Sequence, residues 1–277
     1  MSDDLLGFIG GGNMSSAIIG GLLAAGTDPG RIAVAEPSPA QRRKLTEQFA
    51  GIAVGESNAE IAAHASCIVL AVKPQVLGGV CRELNATVQE TRPLVVSIAA
   101  GVRTGDIDAW LGGGLAVVRV MPNQPALVGR GISGLYANPA TGAPGRERAR
   151  AVMAAVGQVV EVEAEDDIDT VTAVSGSGPA YFYLLIDMLR AAAEEHGLDA
   201  AVARRLAIAT ATGAAALAED TDEPMAELIA RVRSPGGTTA AALDSLEADD
   251  IRAIFSRAVT AAKTRAAELA DQADGDV

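Results

Sequence analysis

Several short stretches of this chain carry residue types whose spacing suits chemistry. Gly10-Gly11-Gly12-Asn13-Met14-Ser15 follows an apolar run and reads G-x-G-x-x-S. Between a strand and a helix, that spacing is a dinucleotide fingerprint. The first glycine permits the tight turn, and the second lets a pyrophosphate approach the free N–H groups at the helix start. The third position is usually Gly or Ala, so Ser15 is a small departure. A plain glycine turn is the competing reading; the apolar run before it and the helical pattern after it weigh against that. Glu36 ends the next apolar run. An acidic group there takes the ribose hydroxyls of NAD and repels the 2′-phosphate of NADP. Arg42 and Arg43, one helical turn on, could serve such a phosphate, so the cofactor stays open between NADPH and NADH.

Ala71-Val72-Lys73-Pro74-Gln75 closes the apolar run 67–72, and the carboxyl ends of such strands are where ligands bind. Lys73 is one of only three lysines in the chain (44, 73, 263); a solvated strand end before a Pro-initiated helix is the bland alternative. Met121-Pro122-Asn123-Gln124-Pro125 is a loop stiffened by two prolines, with Asn123 offering both a donor and an acceptor. Ser175-Gly176-Ser177-Gly178-Pro179 runs into an apolar helix. Ser177 or Gly178 can cap that helix, and the glycines would let a ligand lie close to the backbone. Ser234-Pro235-Gly236-Gly237-Thr238-Thr239 is a polar, glycine-containing loop that empties into a helix start. Unpaired N–H groups, hydroxyls and a positive dipole end make it a ready carboxylate receptor, although a simple threonine cap would satisfy the local sequence equally well.

The 277 residues include 49% hydrophobic and 21% charged, enough for a substantial core. The net charge is -13, which repels phosphate backbones and anionic lipid; nucleic acid and membrane are excluded as main partners. Two cysteines, Cys67 and Cys81, make no disulfide framework and point to a reducing cytoplasm. Two histidines, His64 and His196, cannot supply a His-rich zinc site, and no Ser–His–Asp constellation or phosphate-binding G-x-x-x-x-G-K-[ST] loop occurs. Residues 5–27 are uncharged like an export signal, but their glycine run favours a strand, a tight turn and a buried helix. Hydride transfer to a positioned acceptor fits this inventory better than hydrolysis.

The elements that must hold these groups alternate. Apolar runs at 5–9, 31–35, 52–54, 67–72, 94–99 and 115–120 are separated by helical patterns, as in a doubly wound α/β sheet. Near residue 165 an acidic stretch intervenes, and no convincing strand follows. Helices are expected over 179–196, 200–219, 223–231, 239–246 and 249–270. The run 181–189 is almost wholly apolar and needs cover on most sides, for which a partner subunit is the natural source.

In order and spacing, several of these pieces together resemble the pyrroline-5-carboxylate reductase family along essentially the whole chain. They are Phe8-Ile9-Gly10-Gly11-Gly12-Asn13-Met14, Ala71-Val72-Lys73-Pro74-Gln75, Ser97-Ile98-Ala99-Ala100-Gly101, Met121-Pro122-Asn123, Gly176-Ser177-Gly178-Pro179-Ala180-Tyr181 and the loop 234–239. The resemblance implies a Rossmann domain (1–164) followed by an all-α dimerisation and substrate domain (165–277), with homodimers that assemble into a decamer. It implies cofactor contacts from Ile9, Gly10, Gly11, Gly12, Asn13, Met14, Glu36, Asn58, Ala71, Val72, Lys73, Pro74, Ile98, Ala99 and Ala100. Substrate contacts are expected from Asn123, Ser177, Ser234, Gly236, Gly237, Thr238 and Thr239, with Thr239 nearest the reacting ring and Lys73 the other candidate catalytic side chain. Gln124 departs from the Thr usual after Met-Pro-Asn, and Glu36 sits uneasily with the family's usual NADPH.

The implied reaction is hydride transfer from NADPH or NADH to the C=N carbon of (S)-1-pyrroline-5-carboxylate, giving L-proline as the last step of its biosynthesis. A related imine reductase or β-hydroxyacid dehydrogenase would share the architecture. No lysine lies between Lys73 and Lys263, which disfavours the lysine-dependent type. A non-catalytic NAD(P)-binding protein would leave the loop 234–239 without a purpose.

Overall fold

Continuous apolar runs become inner strands because strands covered by helices on both faces have no solvent side to alternate with. A computed structural model describes residues 4–274. Its strands are β1 (Leu6–Ile9), β2 (Ile32–Ala35), β3 (Ala53–Gly55), β4 (Cys67–Leu70), β5 (Leu94–Ser97), β6 (Val117–Met121), β7 (Gly131–Ala137) and β8 (Gly157–Glu161). They form one sheet in the order β3-β2-β1-β4-β5-β6-β7-β8. Every pairing is parallel except that of β6 with β7. Strands β1, β2, β4 and β5 are buried at every position.

Helices α1 (Asn13–Ala24), α2 (Pro39–Gln48), α3 (Asn58–His64), α4 (Pro74–Thr91), α5 (Thr104–Trp110) and α6 (Ala143–Ala154) cover the two faces. Phe8, Val34, Val69 and Val96 pack with Ile18, Ile19, Leu45 and Met153 on one face. Ile9, Leu70 and Val95 pack with Ile61, Leu77, Leu84 and Ile107 on the other. The sheet is thus doubly wound, and its strand order reverses between β1 and β4, where an open α/β sheet leaves a crevice at its carboxyl edge.

Strands β7 and β8 were not expected. β7 interleaves glycine and serine with apolar residues, and β8 is a largely exposed edge. Gly134 in β7 has a packing reason: a Cβ there would lie 2.6 Å from Cγ1 of Val171, on the short helix α7 (Asp167–Val171). A π-helical turn, Thr172–Gly176, continues α7.

The remaining helices are α8 (Gly178–Glu195), α9 (Ala200–Glu219), α10 (Met225–Val232), α11 (Thr238–Ala248) and α12 (Ile251–Asp274). Two compact units result: one runs to Ser177 and resumes at Ala262, the other is Gly178–Ala261. This division differs from the change of pattern at residue 165, for two physical reasons. The acidic stretch is tied to the sheet by ion pairs, Arg119–Asp169 at 3.2 Å among them, and Ala266 and Ala270 on α12 are buried within the first unit.

The helical unit has almost no core of its own. In α8 to α11 the buried residues are Gly178, Ala203 and Ala207. Phe182, Tyr183, Leu184, Met188 and Leu189 of α8 are each more than half exposed. A helix apolar around its circumference is stable in water only when covered.

Candidate active site

The carboxyl ends of the parallel strands bring most of the expected cofactor residues to one edge of the first unit. Ile9 and Gly10 end β1, Glu36 follows β2, Ala71 to Lys73 follow β4, and Ile98 to Ala100 follow β5. Adjacent ends are stitched together: the N–H of Gly10 donates to Ala35 O and that of Ala71 to Ile9 O, both at 2.9 Å, and Ile98 N–H donates to Leu70 O at 3.1 Å. Gly10 has φ +100°, and a Cβ there would lie 2.8 Å from Ala71 O, so only glycine fits this crossing.

The turn opens α1 without blocking it. Gly12 caps the helix with no side-chain hydrogen bond, and no acidic residue occupies the first turn. A Cβ on Gly12 would meet nothing within 4 Å. The first-turn N–H groups around Asn13 and Met14 are therefore open to an anion. Ser15 explains its own departure from Gly or Ala: it is buried, and its hydroxyl donates to Gly10 O at 2.6 Å, clamping the turn from below.

Glu36 accepts from the backbone of the turn itself, with Oε2 2.9 Å from Gly11 N and Oε1 2.9 Å from Ser38 N. Gln41 closes the other side, its Nε2 donating to Gly11 O at 2.6 Å. Arg42 donates to the backbone oxygens of Glu36 and Pro37 and pairs with Glu56 at 3.0 Å. Gln41 and Ser38 were missed as site residues. Their signal was only the polar start of α2, and which loop they meet depends on strand order. Lys73 is exposed at the N-cap of α4, with Pro74 in the first turn, and Asn58 is half-buried at the start of α3 behind its cap Ser57.

The expected substrate residues divide between the units. Asn123 is 9% exposed, and its side chain is engaged at both ends: Nδ2 donates to Ser175 O at 3.2 Å and Oδ1 accepts from Ile132 N at 3.0 Å. It braces the π-helical turn against the loop after β6. Ser177 ends that turn, its N–H donating to Thr172 O at 2.8 Å. π-helical turns interrupt regular bonding and recur at functional sites.

Ser234, Gly236, Gly237, Thr238 and Thr239 lie in the helical unit. Gly236 has φ +67°, and Gly237 N–H donates to Ser234 O at 3.0 Å, closing a tight turn. Gly237 is the N-cap of α11, without a side-chain cap bond and without an acid in the first turn. Neither threonine therefore acts as a cap, and the first N–H groups of an eleven-residue helix are left without a side-chain partner at the positive end of its dipole.

Other chemistries find little here. Burial pushes the thiols of Cys67 and Cys81 up to about 12, against the opposing pull of Arg148 and Arg82 respectively, so neither is a nucleophile at neutral pH. Among the described residues no group of three or more His, Cys, Asp or Glu could hold a metal ion.

A family model described as pyrroline-5-carboxylate reductase dimerisation matches residues 165–269, and one described as NADP oxidoreductase, coenzyme F420-dependent, matches residues 5–101. The chain is 47% identical to the pyrroline-5-carboxylate reductase of Pseudomonas aeruginosa, over 98% of its own length and 99% of the relative's. It belongs to the pyrroline-5-carboxylate reductase family. Solved members of the family carry the same architecture. The Coxiella burnetii enzyme matches with a TM-score of 0.92 at 42% identity, covering 97% of this chain and 99% of that one. The Plasmodium falciparum enzyme, solved with NADP bound, matches with a TM-score of 0.84 at 31% identity, covering 98% and 99%.

Proposed function

We propose that this chain reduces (S)-1-pyrroline-5-carboxylate to L-proline with NADPH or NADH, the last step of proline biosynthesis, in the cytoplasm. The observation that carries the reading is the open N-terminus of α1, presented behind Gly10 at the crevice between β1 and β4. A dinucleotide fits there on three counts: the crossing at Gly10 that only glycine allows, the empty space over Gly12 and the uncapped first turn.

The turn 9–14 would hold the pyrophosphate through its N–H groups, and Glu36 and Asn58 the adenosine end. Ala71 to Pro74 and Ile98 to Ala100 would line the nicotinamide half, with Lys73 a positive charge beside it. The bound cofactor supplies the hydride. The residues at 234–239 would take the substrate carboxylate on the N–H groups and hydroxyls at the start of α11, with Thr239 orienting the ring nitrogen. The protonated C=N bond is already electrophilic, so orientation and a polar carboxylate site account for most of what the protein must do. Ser177 is kept as a candidate substrate contact. Asn123, with its amide engaged internally, acts by holding the turn that presents Ser177.

The helical unit is read as the homodimer interface, with dimers assembling further into a decamer. Helix α9 is long and apolar enough by length and composition to cross a membrane. We assign its apolar surface to the subunit interface instead, because the dimerisation model spans it and the net charge of -13 opposes anionic lipid and nucleic acid. The test is a spectrophotometric assay with pyrroline-5-carboxylate and each cofactor side by side. Absence of turnover with both would sink the reading.

A further inference from the structure

Among the described residues, the largest fully buried side chain is charged and has no part in the mechanism above. Arg119, in the middle of β6, is 2% exposed. Its NH2 lies 3.2 Å from Asp169 Oδ1 and its NH1 3.5 Å from Glu165 Oε1. NH1 makes no hydrogen bond, because Glu165 is oriented elsewhere: its two oxygens accept from the N–H and the hydroxyl of Thr104, at 2.7 and 2.8 Å. A buried guanidinium held this loosely is a costly way to fill a core, and an apolar side chain of similar volume is often at least as stabilising.

Its neighbours suggest what the charge does. Residues at i, i+2 and i+4 along a strand share a face. Arg119 pairs with Asp169 on α7; at Gly176 a Cβ would lie 2.6 Å from Met121 Cε; Asn123 donates to Ser175 O. One face of β6 and its continuation therefore grips α7 and the π-helical turn at three successive points. Glu165, at the other end of the same segment, pins Thr104, the residue where the loop after β5 enters α5. Asp166 adds a bond to Arg103 at 2.6 Å. The loop 98–103 is thus fixed at its start by the sheet and at its end by Glu165 and Asp166, the two residues that lead into α7.

We propose that Arg119 is a positioning residue for hydride transfer: through Glu165 and Asp169 it holds the loop 98–103 and the turn 172–177 in one fixed relation. This rests on the proposed activity, in which Ile98 to Ala100 line the nicotinamide half and Ser177 lies at the substrate. Loss of the charge leaves the fingerprint at 9–14 intact but lets the two segments drift, which slows the chemical step without weakening dinucleotide binding. A 1 Å misplacement remote from the reacting atoms is enough for such an effect.

The test compares Arg119→Met, Arg119→Lys and Glu165→Gln with wild type, and with Arg146→Ala as a control that breaks an ion pair on the outer edge of the sheet. Steady-state kinetics, dinucleotide titration by fluorescence, melting temperature and the primary deuterium isotope effect on kcat are measured on the same preparations. In Arg119→Met kcat should fall about tenfold or more and the isotope effect should rise, while the dinucleotide Kd stays within about threefold; Arg119→Lys should recover part of kcat. The control should match wild type in kcat, isotope effect and dinucleotide Kd, even where the lost Arg146–Glu161 pair lowers its melting temperature. If Arg119→Met does not fold, Arg119→Lys and Glu165→Gln decide, each with reduced kcat and unchanged Kd. Wild-type kcat and isotope effect in folded variants would overturn the inference, as would a kcat loss matched by the loss of folded protein. Absence of turnover in wild type would instead overturn the activity itself.

Discussion

Oε2 of Glu36 lies 2.9 Å from the amide nitrogen of Gly11, so the carboxylate that ends β2 is locked to the glycine turn that follows β1. Ser38 N–H holds the other oxygen, and no side-chain cation pairs with Glu36 among the described residues. Its charge is therefore fixed at the edge of the dinucleotide crevice and not neutralised.

Cofactor selection follows from that placement. A ribose hydroxyl can donate to this carboxylate, whereas a 2′-phosphate meets a like charge. At 4 to 5 Å the repulsion is worth up to a few kcal/mol at an effective dielectric near 20, and solvent screening lowers it. Glu36→Ser should raise the ratio of kcat/KM for NADPH over NADH by about tenfold, since ~1.4 kcal/mol is one decade. An unchanged ratio would mean that Glu36 serves only to brace Gly11.

Oligomerisation is the condition for a stable helical unit. Each large apolar side chain removed from water contributes about 1.5–3 kcal/mol, and α8 alone leaves several uncovered. Leu184 and Met188, four residues apart on α8, share a face. Replacing both by Glu should shift the protein from at least a dimer to a monomer in light scattering, with loss of activity. A wild-type chain that is monomeric and fully active would contradict the assignment.

The inner half of the sheet was legible because β1, β2, β4 and β5 are almost wholly apolar and buried at every position, a pattern that few alternatives produce. β7 was not, since Gly131, Ser133 and Gly134 interrupt it; Gly134 is set by the approach of Val171, thirty-odd residues downstream. The fingerprint at Gly10 and the turn before α11 were readable from local chemistry alone. Asn123 shows the limit of such reading. Its donor and acceptor were visible as a possible ligand contact, yet the fold engages them with Ser175 and Ile132. The acidic stretch marks residue 165, where the dimerisation model begins, but its contacts were not legible: Glu165 and Asp169 meet Thr104 and Arg119, long-range partners that only the fold brings near.

Acid should weaken the fold at the edge strand. Arg146, and more weakly Arg150, hold the carboxyl of Glu161 on β8 below the ordinary 4.5, against a smaller opposing effect of burial. A carboxyl lower in the folded than in the unfolded chain contributes stability that is present above 4.5 and is lost as pH falls through the folded value. Glu161→Gln should melt a few degrees below wild type at pH 7, as a partly exposed pair allows. The gap should close as pH falls below 4.5 and through the lowered value of the folded chain. A gap independent of pH would assign the loss to packing.

The carboxylate receptor gives the sharpest separation of structure from function. Gly237 caps α11 without a side-chain bond, so a threonine-to-alanine change in the first turn removes no cap. Thr239→Ala should therefore leave the melting temperature within about a degree, well under the effect of losing a cap worth ~1 kcal/mol. Charge-assisted hydrogen bonds to a bound carboxylate contribute roughly 1.5–3 kcal/mol each, and kcat/KM should fall about tenfold or more. Dinucleotide affinity should change much less, because the turn at 9–14 belongs to the other compact unit. Ser234→Ala should mainly raise KM, the mark of a group that binds ground and transition states alike. If both variants melt lower and keep wild-type kinetics, the turn 234–237 only starts a helix, and the substrate carboxylate must be held near Ser177.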